Sequence, residues 1–435
     1  MAATTNKFRP EPAEPCLTHD RSLSQPISDA YLLVTDIPIT LDEAGDRWTD
    51  PMWLKDLALH VGYLRDFRLA SPCRFGAPPP DHVKVTSAIP EGTMEFVCLP
   101  YTSGHWQVLK AAPTNILRLW RALKKTVAVH YMVNTFPLPY GWLVVPMATL
   151  LGKFKIIVIE AAPWRFPNAK RWSKVKFIEA IWERVNRWCV NHSDFCLFTQ
   201  PEYKRELLRK APSRGFVIPA SWIDEEVILT DEKAVDIWSA KLQERPNSLQ
   251  ITFAARLVDA KGVRVLLDSM RLLAQNATVS IHLSIMGSGE LLPLCQSVAT
   301  ELARKLKITV LGPVEYGEDF FTRIRQSDAV VISNLTDEQP RLPYDAYSQA
   351  VPVIASDTTG LRACVRDGVN GWLIPSGDPQ ALAQRLVALS LKKTLLKQAG
   401  LASLSDARAL THQEMHRLRH NYLAQSLEHW HSGHK

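Results

Sequence analysis

The stretch TDEQPRLPYDAYSQAVPVIASD, residues 336–357, places three acidic side chains just ahead of a strand. Asp337 and Glu338 begin it, Asp345 follows a Leu-Pro pair, and the apolar run VPVIAS ends it. Ligands of open parallel sheets bind beyond the carboxyl ends of the strands. The acids therefore indicate a site at a sheet edge, where the other strand ends should supply further binding residues.

Apolar strands alternate with amphipathic helices along the whole chain, and this alternation predicts parallel sheets covered on both faces. The periodicity is lost near residues 218–247, between the two halves. We therefore predict an α/β fold of two doubly wound domains that face each other across a cleft. The predicted strands are 31–39, 94–100, 126–132, 154–161 and 194–200 in the first half, and 248–257, 279–287, 308–314, 329–334, 351–356 and 371–375 in the second.

The composition is that of an ordinary globular protein of 435 residues, which is too long for one core. The net charge of +7 favours anionic partners such as phosphates or an acidic membrane, and we expect no nucleic-acid partner. The seven cysteines are scattered, without CxxC or Cys/His ligand spacing, which predicts reduced thiols in a cytoplasmic protein. No signal peptide is visible, and the longest apolar run, 141–151, is too short to span a membrane.

The loops after the second-half strands carry residues suited to a diphosphate. Arg256 and Lys261 follow strand 248–257, and Gly287 and Gly289 lie in the turn after the next strand. Each signal is weak alone, since surface cations are usually solvated and glycine turns are common structure. The acids of 337–345 could likewise only cap a helix. The agreement of all these loops favours a binding site.

Residues 251–378 resemble the nucleotide-binding domain of the family 4 retaining glycosyltransferases, group 1, which have the two-domain GT-B architecture. The matching segments are AARLVDAKG, LSIMGSGELLPL, VLGPVEY, SDAVVISN and the stretch from LPYDAYSQAVPVIAS to GWLIPSGD. The resemblance covers about 45% of the chain strongly, and the first half matches only in its alternation of strands and helices. It implies a flexible tail at 1–27, an acceptor-binding domain at 28–220, a nucleotide-sugar domain at 221–404, and a helix within 405–435 that returns to the first domain.

The family signature has two glutamates eight positions apart, with a glycine-containing loop between them. Here the loop is EQPRLP, without glycine, and Asp345 occupies the place of the second glutamate, seven residues before Pro352. Counting back eight gives Asp337 as the first acid, whereas counting from the Leu-Pro pair gives Glu338, so both remain candidates. By resemblance, the second acid binds the donor ribose and the first contacts the donor sugar.

The resemblance also implies the remaining roles. Arg256 and Lys261 would stabilise the charge on the leaving diphosphate, and no metal or other cofactor would be required, since the chain lacks Asp-x-Asp. Glu160, at the end of strand 154–161, stands where the family often has a histidine near the donor sugar. The further nucleotide-binding residues would be Gly287, Gly289, Pro313, Val314, Leu342 and Pro343.

The expected function is transfer of a hexose from a uridine- or guanosine-diphosphate sugar to a hydroxyl of a glycan or lipid-linked glycan. The altered loop keeps a second possibility open, a non-catalytic homologue that binds a nucleotide sugar or a partner. A related epimerase or inverting enzyme would need a well-placed base.

The segment 164–188 carries seven Lys/Arg, two Glu and four Trp. This pattern suits the inner face of an anionic membrane, or alternatively a helix with tryptophans in the core and lysines in solvent.

Overall fold

The computed structural model describes residues 25–135, 138–166, 173–275 and 280–433. Within them the chain forms two sheets, one of ten strands and one of six. Both faces of the first sheet are covered, since alternate side chains of β1 point to opposite faces and pack into two different core clusters. Tyr31 and Leu33 join one core cluster, whereas Leu32 and Val34 join another.

The first sheet has a parallel core in which the strand order is β10-β9-β8-β7-β1-β4, and β6 also pairs with β4. The chain order therefore changes direction between β1 and β7, which opens a crevice beyond their carboxyl ends. The strands are β1 (Tyr31–Val34), β2 (Ile39–Leu41), β3 (Arg47–Thr49), β4 (Phe67–Phe75), β5 (Val83–Lys84), β6 (Met94–Pro100), β7 (Ala128–Tyr131), β8 (Phe154–Ile159), β9 (Phe195–Phe198) and β10 (Gly215–Val217).

In the described part of the first half, five helices lie between these strands: α1 (Pro51–Tyr63), α2 (His105–Lys124), α3 (Tyr140–Leu150), α4 (Lys174–Asn191) and α5 (Pro201–Leu207). Helix α1 is capped at its N-terminus, since the Asp50 carboxylate accepts the N–H groups of Met52 and Trp53. The helix of the basic segment 164–188 begins at Lys174 after the cap Ser173, and residues 167–172 lie outside the described residues.

The second sheet is wholly parallel, in the order β13-β12-β11-β14-β15-β16. Its chain order reverses between β11 and β14, so the ligand crevice of this sheet lies beyond those two strands. The strands are β11 (Ser248–Ala254), β12 (Ser280–Met286), β13 (Lys307–Gly312), β14 (Ala329–Ile332), β15 (Val353–Ser356) and β16 (Gly371–Ile374).

Nine helices follow in the described part of the second half: α6 (Asp231–Glu244), α7 (Val263–Gln275), α8 (Leu292–Leu302), α9 (Glu318–Gln326), α10 (Leu342–Ser348), α11 (Thr359–Arg362), α12 (Pro379–Ser390), α13 (Lys393–Ala409) and α14 (His412–Gly433). Helix α6 lies inside the segment predicted to lack periodicity. Its stability comes from tertiary contacts that the pattern does not show, since buried Trp238 donates its indole N–H to the Ala350 carbonyl.

The C-terminal segment is two helices rather than one, because the chain breaks at Leu410 and Thr411. Helix α14 then lies against the first sheet. The Trp430 ring meets Phe154 of β8 at a centroid distance of 5.7 Å, and the Tyr422 ring stacks on Phe216 of β10 at 4.5 Å.

Two expectations about the first half are wrong. Ile27, assigned to the flexible tail, is buried and pairs with Leu64. Removing its apolar side chain from water stabilises this position beside β1. Residues 1–24 lie outside the described residues. The cysteines are not all reduced thiols. Cys73 and Cys98, on the paired strands β4 and β6, form a disulfide because their Cα atoms lie 5.6 Å apart.

Candidate active site

Two cation-bearing loops meet at the crevice between β11 and β14. Arg256 follows β11 and is exposed, while Lys261 ends a 3₁₀ turn, Asp259–Lys261, ahead of α7. The Ser333 hydroxyl, just after β14, donates to the backbone carbonyls of Lys261 at 3.1 Å and Gly262 at 2.9 Å. The lysine loop is therefore fixed to the end of the neighbouring strand.

Glycines allow these loops to approach one another closely. Gly262 has φ +69°, and a Cβ there would lie 1.8 Å from the Ser333 carbonyl oxygen. A Cβ on Gly287, φ +137°, would lie 1.9 Å from the Ala255 carbonyl oxygen. A Cβ on Gly289, φ +152°, would lie 2.5 Å from the Leu257 carbonyl oxygen, in the loop after β11. Only glycine fits such positions, so the turn after β12 lies directly against the Arg256 loop.

Asp345 is the best-defined acid of the site. It lies in the first turn of α10 and is 6% exposed, and its Oδ1 accepts a 2.8 Å hydrogen bond from the Tyr316 hydroxyl. Burial raises the pKa of the Asp345 carboxyl to about 6, although Tyr316 and the charge of Arg341 act to lower it. Asp345 therefore changes its charge close to neutral pH.

The two candidates for the first acid have different surroundings. Glu338 forms a salt bridge with Lys261, one of the two cations of the crevice, so its carboxylate lies at the crevice as well. Asp337 is exposed, and its Oδ1 accepts the backbone N–H of Thr359 at 3.4 Å. The backbone around Glu338 is also fixed, since a Cβ on Gly360 would lie 2.3 Å from the Glu338 carbonyl oxygen.

The four other residues predicted to contact the nucleotide lie in two loops of the second domain. Pro313 is exposed and Val314 is half-buried, in the loop between β13 and α9 that also carries Tyr316. Leu342 and Pro343 form the first turn of α10, two residues before Asp345. Leu342 is half-buried and Pro343 is buried. The hydrogen bond between Tyr316 and Asp345 joins the two loops.

Glu160 follows β8 in the first domain and is exposed. Its side chain is nevertheless enclosed enough that desolvation raises the pKa of its carboxyl, against the lowering effect of the Arg419 charge. Asp36, after β1, also has a raised pKa because it is largely desolvated. Both acids lie at carboxyl ends of strands of the first sheet, the edge at which that sheet binds ligands.

The two domains touch where their strand ends face each other. The Gln200 side chain, after β9, donates to the Asp337 carbonyl at 2.5 Å, and the Tyr203 hydroxyl donates to the same oxygen at 3.3 Å. The Gln339 side chain accepts the backbone N–H of Ala220 at 2.6 Å. The loop that replaces the family's glycine-rich segment is therefore held by the first domain and the connecting segment.

Sequence reasoning missed three residues of this region, namely Gln200, Trp222 and Arg341, and it placed Tyr316 only in a loop that could border a nucleobase, without its contact to Asp345. The Arg341 guanidinium lies over the Trp222 ring, 4.4 Å from its centroid, and its charge acts on both Asp345 and Glu160. The only signal for Tyr316 was its place in VLGPVEY. Pairings across domains leave no local pattern in a sequence.

Comparison with known proteins matches residues 248–391 to the family described as glycosyl transferases group 1. The chain is 27% identical over 156 residues to the putative glycosyltransferase EpsD of Bacillus subtilis, matching 36% of this chain and 40% of EpsD. It is 25% identical over 285 residues, 65% of this chain and 71% of the relative, to the Escherichia coli UDP-Gal:alpha-D-GlcNAc-diphosphoundecaprenol alpha-1,3-galactosyltransferase. The chain thus spans well under two thirds of the length of EpsD.

Among solved structures, the fold is similar to that of HepE from Anabaena, determined in complex with UDP-glucose. The TM-score is 0.60 at 14% identity, over 92% of this chain and 99% of HepE. The expected arrangement of two Rossmann-like domains is confirmed by this likeness and by the two sheets. Residues 248–391 thus match the group 1 glycosyltransferase family, and the chain as a whole has the GT-B fold.

Proposed function

We propose that this protein is a retaining glycosyltransferase that moves a hexose from a uridine- or guanosine-diphosphate sugar to a hydroxyl of a glycan or lipid-linked glycan. The observation that carries the proposal is the crevice between β11 and β14, where Arg256, Lys261 and a glycine-shaped turn lie together. Cations and exposed amides at a helix start suit a diphosphate.

Each part of the donor has a suitable counterpart. The guanidinium of Arg256 and the ammonium of Lys261 bind the diphosphate and stabilise the charge that develops as the glycosidic bond breaks. The ionised Asp345 carboxylate accepts two vicinal ribose hydroxyls. Pro313 and Val314 border the base, and Leu342 and Pro343 position α10 beneath the ribose.

Asp337 or Glu338 contacts the donor sugar, and Glu160 approaches it from the first domain. The salt bridge between Glu338 and Lys261 favours Glu338, because an acid beside the phosphate lysine lies next to the reacting centre. The departing phosphate takes the proton of the acceptor hydroxyl on the same face. This scheme needs neither a separate base nor a metal ion.

The same geometry supports the proposed domain assignment. Residues 221–404 bind the donor, and residues 28–220 bind the acceptor, with α14 returning to the first domain. The name of the E. coli relative specifies a UDP-sugar donor and a diphosphoundecaprenol acceptor, which supports a lipid-linked acceptor here. The UDP-glucose complex of HepE supports a UDP-linked donor.

The first experiment is a thermal-shift panel of purified protein against UDP-, GDP- and ADP-sugars without added metal. A donor at about a hundred times its Kd stabilises the folded state by about 2.7 kcal/mol, or roughly 5–10 °C for a domain of this size. Arg256→Ala should abolish the shift. Arg271→Ala is the matched control, since Arg271 is a surface cation paired with Glu301 away from the crevice.

Donor hydrolysis and anomeric NMR of the product complete the test. We expect slow hydrolysis that depends on Asp345 and a product with the anomeric configuration of the donor. An inverted product would contradict the retaining mechanism. No shift with any donor would contradict the donor site itself.

A second function is favoured by one observation, the immobilised loop. Gln339 is bonded to Ala220, and Glu338 neutralises Lys261, so this loop is less free than a glycine-containing one. A non-catalytic scaffold that binds a nucleotide sugar or a partner would show donor-dependent stabilisation without any turnover. Transfer or hydrolysis above background would exclude it.

We further propose that the first domain attaches to an anionic membrane through one face. Helix α3 packs between α2 and α4, and all three expose large apolar side chains. Phe177 is 69% exposed and Trp106 is 78% exposed. Within 164–188, Trp188 is 42% exposed whereas Trp164 and Trp182 are buried, so the three described tryptophans are divided between surface and core; Trp172 lies outside the described residues. The exposed members of this face include Leu109, Leu117, Leu150, Phe177, Ile178, Ile181 and Trp188.

Apolar side chains beside Lys174 and Arg184 on the exposed side of α4 suit the interface of an anionic bilayer. Every helix in the described part of the chain is too short or too polar to cross a membrane. The test is co-sedimentation with phosphatidylglycerol liposomes at low salt, comparing wild type with Phe177→Ser/Ile181→Ser. Equal pelleting of the two proteins, or none with the wild type, would contradict attachment through α4.

A further inference from the structure

A buried group of one carboxylate and two imidazoles joins α14 to α1. Asp56 of α1 is 6% exposed, and His412 and His416 of α14 are 0% and 3% exposed. The Asp56 Oδ1 atom lies 3.1 Å from His412 Nε2 and 2.9 Å from His416 Nε2. Three atoms of the kinds that bind metals therefore lie close together, although they come from two helices that are far apart in the sequence.

The spacing of these atoms suits a small transition-metal ion. All three lie within 4.8 Å of one another. Bonds of about 2.0–2.2 Å to imidazole nitrogen and carboxylate oxygen place tetrahedral ligand atoms roughly 3.3–3.6 Å apart, so the two contacts of Asp56 Oδ1 need to widen by about 0.2–0.7 Å. His412 and His416 are four residues apart on one helix, which puts both rings on the same face.

The surrounding groups leave the two rings available as ligands. His60 is held by other contacts: its Nε2 accepts from the Arg419 guanidinium at 2.9 Å, and its Nδ1 lies 3.0 Å from the Asp56 carbonyl and 3.3 Å from Asp56 Oδ2, the carboxylate oxygen that neither His412 nor His416 contacts. The Nδ1 atoms of His412 and His416 lack hydrogen-bond partners among the described residues. Among the described residues, Asp56 is the one hydrogen-bond partner of both Nε2 atoms, so a metal at Nε2 would displace no other hydrogen bond.

We propose that Asp56, His412 and His416 bind one divalent transition-metal ion of the zinc type, which fastens the C-terminal helix to the first domain. Two imidazoles and one carboxylate favour zinc-like ions over magnesium or calcium, which prefer all-oxygen sites. When the ion binds, the single proton of each neutral ring moves from Nε2 to Nδ1, and the two Nε2 lone pairs face the ion. This site is independent of the glycosyl transfer proposed above. The expectation that no metal is required applies to the donor site in the crevice between β11 and β14, and not to this cluster.

The site also has a route to the crevice. The His412 ring stacks on Trp222 at a centroid distance of 5.1 Å, and Trp222 carries Arg341 over its face. Because Arg341 precedes α10, a fixed His412 ring supports the loop that holds Asp345. Metal binding therefore stabilises the position of the second domain relative to the first.

The test uses full-length, tag-free protein treated with a chelator and then dialysed. Cobalt(II) titration should give visible absorption bands of a nitrogen- and oxygen-ligated ion that saturate at one equivalent, and zinc should raise the Tm with the same stoichiometry. His416→Gln should lose both effects. His429→Gln is the matched control, because His429 lies on the same helix but is exposed.

Asp56→Asn gives a second variant, since its amide oxygen still accepts hydrogen bonds from the rings while its affinity for metal falls at least tenfold. Circular dichroism verifies that each variant is folded. Wild type without saturable cobalt bands, or bands and Tm shifts retained in a folded His416→Gln protein, would overturn the proposal. If both variants unfold, the wild-type titration alone decides.

Discussion

Replacing Asp345 by Asn should stabilise the free protein while destroying donor binding. The carboxyl has a pKa of about 6 in the folded protein against 3.8 for the ordinary side chain. This difference of about 2 units corresponds to about 3 kcal/mol of folding free energy lost once the buried group ionises. Because the folded pKa is the higher one, the loss is absent below about pH 4 and complete above about pH 6.

An asparagine has nearly the same shape, and its Oδ1 can still accept the Tyr316 hydroxyl, so the variant should escape most of that loss. We expect the free energy of unfolding of Asp345→Asn to exceed that of wild type by up to about 3 kcal/mol at about pH 8, with the gain shrinking towards pH 4. The variant should also lose the increase in Tm that UDP-glucose gives the wild type.

Urea denaturation across this pH range, followed by thermal shifts with UDP-glucose, measures both quantities. UDP-glucose is preferred to UDP, whose terminal phosphate titrates near pH 6 itself. If Asp345→Asn were less stable than wild type at about pH 8, this would refute the argument that the ionised Asp345 carboxylate destabilises the folded protein. An undiminished response to UDP-glucose would refute its contact with the donor.

Three further outcomes test the same crevice. Tyr316→Phe removes a hydrogen bond that lowers the pKa of the Asp345 carboxyl. The pH at which UDP-glucose affinity reaches half its maximum should therefore rise by about 1 unit. An unchanged pH dependence of UDP-glucose affinity would contradict this. Glu338→Gln frees Lys261 from its salt bridge, so calorimetry should show tighter UDP binding while turnover falls, and weaker UDP binding would argue against the pairing. Gly287→Ala, which meets a carbonyl oxygen at 1.9 Å, should cost more than about 3 kcal/mol in urea denaturation, whereas Gly368→Ala, with open space around it, should cost only about 1 kcal/mol.

The alternation of apolar strands and amphipathic helices was sufficient to predict two parallel-sheet domains, because burial on both faces leaves a direct trace in residue order. The second-half loops were equally visible. Arg256, Lys261, Gly287 and Gly289 follow strand ends, and strand ends of a parallel sheet meet at one edge whatever the loops contain. Asp345 was selected as a candidate because it stands seven residues before Pro352, the place of the second glutamate in the family signature.

Local pattern failed where partners are distant in the sequence. Nothing in the residues around Asp56 indicates that His412 and His416 lie beside it, since 356 positions separate Asp56 from His412. The disulfide, the hydrogen bond from Tyr316 to Asp345, and the contact of Gln200 with the Asp337 loop have the same character.

Tertiary structure also decided the state of the acids. A sequence shows that Asp345 and Glu338 are carboxylates, but only packing buries one and places the other against Lys261. Their charges depend on desolvation and on neighbours brought in by other strands. The order of residues thus determined which chemical groups stand at the sheet edge, and the fold determined their protonation and their partners, because both depend on distances in space.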